Sequence, residues 1–166
     1  ALEGKLVVEP TQEEMHHYHV LKQQYEESMA VFNTGKFETA VSKDGHVVEI
    51  AANIASVDLL DGVLETGADG VGLFRTEFLY MNRCSAPGLD EQFEAYKKVL
   101  QAFDNKPVVI RTFDIGGDKK IDYLELDPED NPFLGYRAIR ISLDRKHLFR
   151  TQLKALVKAS AFGNLK

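Results

Sequence analysis

The sequence predicts an α/β fold built on a parallel sheet, and three observations predict it. Short apolar runs alternate with segments of helical spacing, the pattern of strands joined by crossover helices. Two of those runs, Val71–Phe74 and Val108–Ile110, follow a Gly or Pro turn and are continuous rather than alternating, as in strands buried on both faces. Both stop at an Arg-Thr pair, Arg75-Thr76 and Arg111-Thr112. A guanidinium is almost never fully buried without a partner, so each arginine marks a strand's C-terminal end, where the chain leaves the core. Two such ends in one parallel sheet aim two fixed cations into one pocket. The planar fork of arginine suits an anion there, because it grips carboxylate or phosphate with two parallel hydrogen bonds.

The elements follow in order. Leu6–Val8 is a short apolar run that stops at Glu9-Pro10 and reads as the last strand of something that began upstream. Thr11-Gln12-Glu13-Glu14 is a capping box. Met15, Tyr18, Leu21, Tyr25 and Met29, three and four apart, mark one apolar face of a long helix that Asn33–Lys36 ends. A long amphipathic helix after an orphan strand reads as a connector between domains. Asp44-Gly45 is a turn, and Val47–Ile54 is the next strand, carrying Asn53 near its end. Ser56 caps a helix through Leu60, Val63 and Leu64, closed by Gly67. Asp69-Gly70 turns the chain into the strand at Val71. Pro87-Gly88 and acidic Asp90-Glu91 open a helix with Phe93, Tyr96, Leu100 and Phe103 on one face. Asn105-Lys106-Pro107 turns into the strand that ends at Arg111. A loop with Asp118-Lys119-Lys120 and Asp127–Asp130 follows, and Asp144 caps a final helix carrying Phe149, Leu153, Leu156 and Val157. A fourth strand is about to start where Gly163–Lys166 closes the sequence.

Three βα units begin either an open doubly wound sheet or a (β/α)8 barrel. Polar residues recur at successive strand ends: Asn53, then Arg75, then Arg111 and Asp114. In a barrel those ends converge on one site. Three strands cannot close a barrel, so the chain is expected to be cut mid-fold.

Composition narrows the function. A net charge of −6 with no basic stripe argues against a general nucleic-acid binder, while leaving room for a local basic pocket. No apolar run is long enough to span a membrane, and no signal peptide is evident. The single Cys84 rules out an internal disulfide and fits a reducing cytoplasm. His16 and His19 share a helix face at a spacing that can hold zinc, but no third ligand joins them, so His16, His17 and His19 read as a solvated face. Gly67–Gly72 precedes its strand, which fails the dinucleotide-loop context, and Gly116-Gly117-Asp118-Lys119 lacks P-loop spacing. Taken alone, Arg75 reads as the ion-pair partner of Glu77.

Several segments resemble enzyme I of the bacterial phosphoenolpyruvate-dependent sugar phosphotransferase system. They are Gly45–Ile54, Gly67–Leu79 with its Arg75-Thr76-Glu77, Glu91–Tyr96, Arg111–Lys119 and Asn131–Arg140. Their order and spacing match that family over nearly the whole chain. Pyruvate phosphate dikinase and phosphoenolpyruvate synthase share the Arg-Thr-Glu element, but the Asn53 strand and the Asp114–Lys119 run are more similar to enzyme I. A non-catalytic α/β binding or assembly module stays open beside both readings.

The resemblance implies a partial (β/α)8 TIM barrel, its first three βα units, preceded by a linker helix. It divides the chain into 1–10, the end of a phosphohistidine swivelling domain; 11–40, a helical linker; and 41–166, the first part of a phosphoenolpyruvate-binding barrel. It implies phosphoryl transfer from phosphoenolpyruvate to a protein histidine and then to the histidine-containing phosphocarrier protein. By resemblance Arg75, Arg111 and Arg137 bind substrate, with Asn53 and Asp114 in support. The phosphoacceptor histidine, the Mg²⁺ ligands and the catalytic cysteine fall outside this sequence, so it holds no catalytic residue or metal ligand of its own and is expected to be inactive alone. Ser85–Leu89, with Ala86-Pro87-Gly88, departs from an acidic-rich segment usual in the family. The resemblance also implies a cytoplasmic homodimer, with a contact near Asn131–Arg140.

Overall fold

Four short parallel strands lie side by side in the computed structural model, in the order in which the chain makes them. They are β1 (Ala51–Ile54), β2 (Gly70–Arg75), β3 (Pro107–Arg111) and β4 (Asn164–Leu165). The structure describes residues 4, 6–117 and 121–166. The loop triplet Asp118-Lys119-Lys120 therefore lies outside the described residues. The chain divides into two units, Ala1–Glu38 and Thr39–Lys166.

In the first unit the described residues form α1 (Gln12–Gly35). Its capping box is complete: the Thr11 hydroxyl accepts from the Glu14 amide at 3.2 Å, and the Glu14 carboxylate accepts from the Thr11 amide at 2.9 Å. No residue of this helix is buried, and Met15, Tyr18, Leu21, Tyr25 and Met29 are all exposed. Leu6–Val8 is not a strand. Leu6 and Val8 are exposed, and no described segment supplies the ladder partner that a strand's amides need.

The second unit is the α/β body, in which α2 (Leu60–Leu64), α3 (Leu89–Ala102), α4 (Ile139–Asp144) and α5 (Lys146–Ala159) separate the strands. Ile54, Val71, Phe74, Val108 and Ile110 are buried and pack with Tyr96, Val99 and Leu100 of α3 and Ala155 and Ala159 of α5. Asn53, Leu73, Arg75, Val109 and Arg111 keep some exposure and belong to the other side of the sheet. The strand character thus comes from burial toward the helices, at roughly 2 kcal/mol for each fully buried aliphatic side chain. Gly70 lets β3 come close, since a Cβ there would collide with the Pro107 carbonyl oxygen. A second cluster, Tyr80, Phe113, Ile115, Ile121, Leu124 and Ile141, fills the space under the loops that follow β2 and β3.

Three expected boundaries differ from the sequence reading. The strand expected over Val47–Ile54 is regular only from Ala51, because Val47 instead bridges Val41 in an antiparallel turn closed by Ser42–His46. Ser56 does cap, accepting from the Asp58 amide at 3.2 Å, but the first turn it caps is a 3₁₀ turn, Val57–Leu59. Asp144 does not cap the last helix. It closes α4, and its carboxylate accepts a hydrogen bond from the Tyr136 hydroxyl at 2.5 Å, which raises the pKa of that phenol. The fourth strand does start where expected: Asn164 pairs in register with Pro107, and Leu165 with Val108.

Candidate functional site

The C-terminal ends of β2 and β3 lie level. Phe74 pairs with Ile110 in register and Arg75 with Arg111, so two guanidiniums leave adjacent strands at one height. Parallel strands that end together present their side chains to a single region of space, which is where ligands bind in such sheets.

Past β2 the chain turns at once into a 3₁₀ segment, Thr76–Leu79. That tight turn tucks Glu77 inward until its side chain has no solvent exposure. Its carboxylate receives Arg111 Nη2 at 2.5 Å. Arg111 Nη2 also lies 3.1 Å from Asp114 Oδ2, and Arg137 Nη2 lies 3.0 Å from Asp114 Oδ1. Glu77, Arg111, Asp114 and Arg137 therefore form one alternating chain of charge. Both guanidiniums keep partial exposure, 33% and 22% of their side chains, so the chain is open to solvent on one side.

Arg75 is arranged differently. Glu77, its expected partner, pairs with Arg111 instead. The Arg75 guanidinium lies 5.0 Å from the centre of the Phe78 ring, a cation–π contact, and its buried Nε has no hydrogen-bond partner. Among the described residues no carboxylate neutralises it.

Arg137 reaches the group from the loop after β3. Gly116 and Gly117 both have positive φ, 112° and 71°. A Cβ on Gly116 would sit 2.6 Å from the Arg137 Cβ, so the close passage of the two loops requires glycine. The Ala138 amide donates to the Ile115 carbonyl at 2.9 Å beside it, and Phe133 lies under the Arg137 guanidinium at 5.3 Å. Arg140 is used elsewhere. Its Nη1 donates to the carbonyls of Leu134 and Gly135, so it braces the loop.

Asn53 lies on β1 opposite Leu73 and is exposed. It joins no hydrogen bond with the arginine group. Of the residues singled out from sequence, Arg111, Asp114 and Arg137 are brought into direct contact, Arg75 stands beside Arg111, and Asn53 stays apart. His16, His17 and His19 lie exposed on α1. Among the described residues no three His, Cys, Asp or Glu side chains are grouped to hold a metal ion. No described helix is long and apolar enough to cross a membrane.

Sequence reasoning missed a buried polar group behind the strand ends. Gln152 of α5 is fully buried. Its Oε1 accepts from the Phe113 amide at 2.9 Å, and its Nε2 donates to Thr76 Oγ1 at 3.1 Å and to the Tyr96 hydroxyl at 3.2 Å. The Thr76 hydroxyl donates to the Arg111 carbonyl at 2.8 Å. Tyr96 and Tyr80 both donate to Gln92 Oε1, at 3.0 and 2.9 Å, and Gln92 Nε2 donates to the Pro87 carbonyl at 2.9 Å. Burial raises the pKa of both phenols, so they stay protonated donors. The signal was available: Gln92 falls four before Tyr96, and Gln152 three before Ala155, on the core-facing side of each helix.

Comparison with known proteins agrees with the geometry. Residues 30–166 match the family described as PEP-utilising enzyme, PEP-binding domain. A phosphoenolpyruvate-protein phosphotransferase of Listeria monocytogenes is 53% identical over 165 residues, 99% of this chain and 29% of its own length. The protein of that name from Bacillus subtilis is 52% identical over the same shares. The one from Staphylococcus carnosus is 49% identical over 98% of this chain and 28% of its own length. The chain thus spans less than a third of these relatives.

Proposed function

The chain belongs to the PEP-utilising enzyme family, through its PEP-binding domain, and from that premise we propose that it supplies the arginine arms of a phosphoenolpyruvate site. In the longer protein that site serves phosphoryl transfer to a protein histidine and onward to a histidine-containing phosphocarrier protein. The observation that carries the reading is the level pair Arg75 and Arg111 at the ends of adjacent parallel strands. Phosphoryl transfer asks a protein chiefly to position the group and to stabilise charge on its oxygens. Phosphoenolpyruvate bears a phosphate and a carboxylate, so it needs several convergent cations.

The roles divide by circumstance. Arg75, with no carboxylate against it among the described residues, is the arm with charge to offer the phosphate. Arg111 is held from behind by Glu77 and turns its remaining donors to the same oxygens. Arg137 completes the clamp, while Asp114 sets the directions of Arg111 and Arg137, and Asn53 supports from β1. The described residues do not form a Mg²⁺ site: Asp114 faces two guanidiniums and Glu77 is enclosed. In this reading, as the resemblance implies, the Mg²⁺ ligands fall outside this sequence, and no step here depends on the ion. The same reading takes 1–10 as the end of a swivelling domain, 11–40 as linker and 41–166 as the first part of the barrel of a cytoplasmic homodimer.

Titrating phosphoenolpyruvate with Mg²⁺ into the chain by calorimetry tests this. Saturable binding that disappears in Arg75→Ala and in Arg111→Ala is the expected result. A second reading, assembly without substrate binding, draws on Phe133, Leu134 and Ile139, which are exposed on the loop after β3 and the start of α4. No heat in the titration, with a mass that rises with concentration in sedimentation, would favour it.

A further inference from the structure

We propose that Gln152 and Thr76 are positioning residues for the arginine clamp, acting from the far side of the sheet by fixing the backbone from which Arg111 projects. This rests on the substrate site proposed above.

The wiring has only one consistent direction. The Phe113 amide can only donate, so Gln152 must turn its oxygen toward it. That leaves the Gln152 amino group for Thr76 Oγ1 and the Tyr96 hydroxyl, and both take it as acceptors. Thr76, having accepted, passes its own proton to the Arg111 carbonyl. Tyr96 passes its proton to Gln92, which in turn holds the Pro87 carbonyl. One glutamine therefore ties the residue after Arg75 and the residue two past Arg111 to a single helix. The Arg111 carbonyl and the Phe113 amide bracket the point where β3 ends and the chain must turn. With both fixed, Arg111 has one backbone direction from which to reach Glu77 and Asp114.

A purely apolar plug at position 152 would fill the same space but leave the Phe113 amide and the Thr76 hydroxyl without these partners. That a long polar side chain is kept fully buried here, with its oxygen and its amino group both used, is the feature a packing role alone does not require. The repeated Arg-Thr pair is thereby explained on one side only. Thr76 is a link in the chain, whereas the Thr112 hydroxyl makes no such bond among the described residues.

The test uses the 166-residue chain with three variants: Thr76→Val, which keeps the shape and removes the hydroxyl; Thr76→Ser, which restores it; and Gln152→Glu, which keeps the acceptor for Phe113 and loses the amino donor. Two readouts are taken on each, phosphoenolpyruvate affinity by calorimetry and the order of the Arg111 Nε–H bond by ¹⁵N relaxation. Folding is checked by circular dichroism. The expected result is an affinity about tenfold weaker in Thr76→Val and Gln152→Glu, recovered in Thr76→Ser, with Arg111 more mobile in the two weakened variants. Variants that fold and leave both Arg111 order and affinity unchanged overturn the proposal. If the unaltered chain binds no phosphoenolpyruvate, the substrate reading fails by itself. The relaxation data then decide alone: greater Arg111 mobility in Thr76→Val, reversed in Thr76→Ser, upholds the positioning role, and equal order in all chains refutes it.

Discussion

The strand ends at Arg75-Thr76 and Arg111-Thr112 are the same dipeptide after an apolar run, yet the fold treats them in opposite ways. Arg111 is enclosed by two carboxylates, with its backbone carbonyl pinned by Thr76. Arg75 has an aromatic ring beneath it and, among the described residues, no carboxylate against it. Thr76 is fully buried and bonded on both sides, while Thr112 is only partly buried. The difference shows that a repeated motif fixes where a charge emerges but not how that charge is balanced. Balance comes from the chain that follows. After β2 that is a tight 3₁₀ turn which sends Glu77 across to the neighbouring strand, and after β3 it is an open loop that returns Asp114 to Arg111. One arm is braced and the other is left with charge to spend.

Four measurements can break or sharpen this contrast. The largest effect is expected from Glu77→Leu. Removing a buried carboxylate leaves Arg111 without its enclosed partner, and breaking such a pair costs about 3–5 kcal/mol. Urea unfolding should show that loss, and a change within 0.5 kcal/mol would mean Arg111 is not braced as described. Alkaline unfolding comes next. Tyr80 and Tyr96 have pKa values raised by burial above the ordinary value of 10.0. For a group whose folded pKa is raised, the stabilisation is whole below the unfolded pKa and is lost as pH rises toward the folded one. Stability should therefore be flat to about pH 10 and then fall by roughly 1.4 kcal/mol per phenol for each pH unit. A transition that does not move between pH 9 and 11 would remove the phenols from the buried network.

The matched pair Thr76→Val and Thr112→Val is the direct comparison of the two ends. The first leaves the Arg111 carbonyl and a Gln152 donor unsatisfied in the interior, at a cost of about 2 kcal/mol. The second removes a partly exposed hydroxyl and should stay within about 0.5 kcal/mol. Equal losses would erase the asymmetry. Smallest in stability is Arg75→Ala, which forfeits one cation–π contact and should cost less than about 1 kcal/mol in thermal unfolding. The same variant is expected to abolish phosphoenolpyruvate binding, so it separates binding from folding more cleanly than Arg111→Ala.

Much of this body could be read in advance. The parallel order of strands followed from β-branched runs alternating with helical spacing, and the start of β4 from the Gly163 break. Capping at Thr11 was legible because both halves of the box lie within four residues. What escaped reading depends on partners distant in sequence. Val47 looked like strand because it is apolar and β-branched, but a local turn claims it before the sheet can. Asp144 looked like a cap by type, and Tyr136 claims its carboxylate. Glu77, taken alone, read as the partner of Arg75 by proximity, yet its carboxylate pairs with Arg111 on the neighbouring strand. Gln92 and Gln152 stand at core-facing spacing on their helices, but the partners that satisfy them, Thr76, Phe113 and Pro87 among them, lie on other segments. The arginines were visible because charge at the end of an apolar run is a local pattern.

The wiring of Gln152 also sets an order of events. Its bonds to Thr76 and Phe113 span 76 and 39 residues of sequence, and Thr76 reaches Arg111 across 35. Contacts of such separation form late, after the loops between them have closed. On a ribosome both strands that carry the arginines are complete long before residue 152 emerges. Until then the Arg111 carbonyl and the Phe113 amide have only water or wrong partners. On the proposed reading the clamp matures when α5 docks, and a nascent chain halted before α5 should carry β1 to β3 without holding the anion.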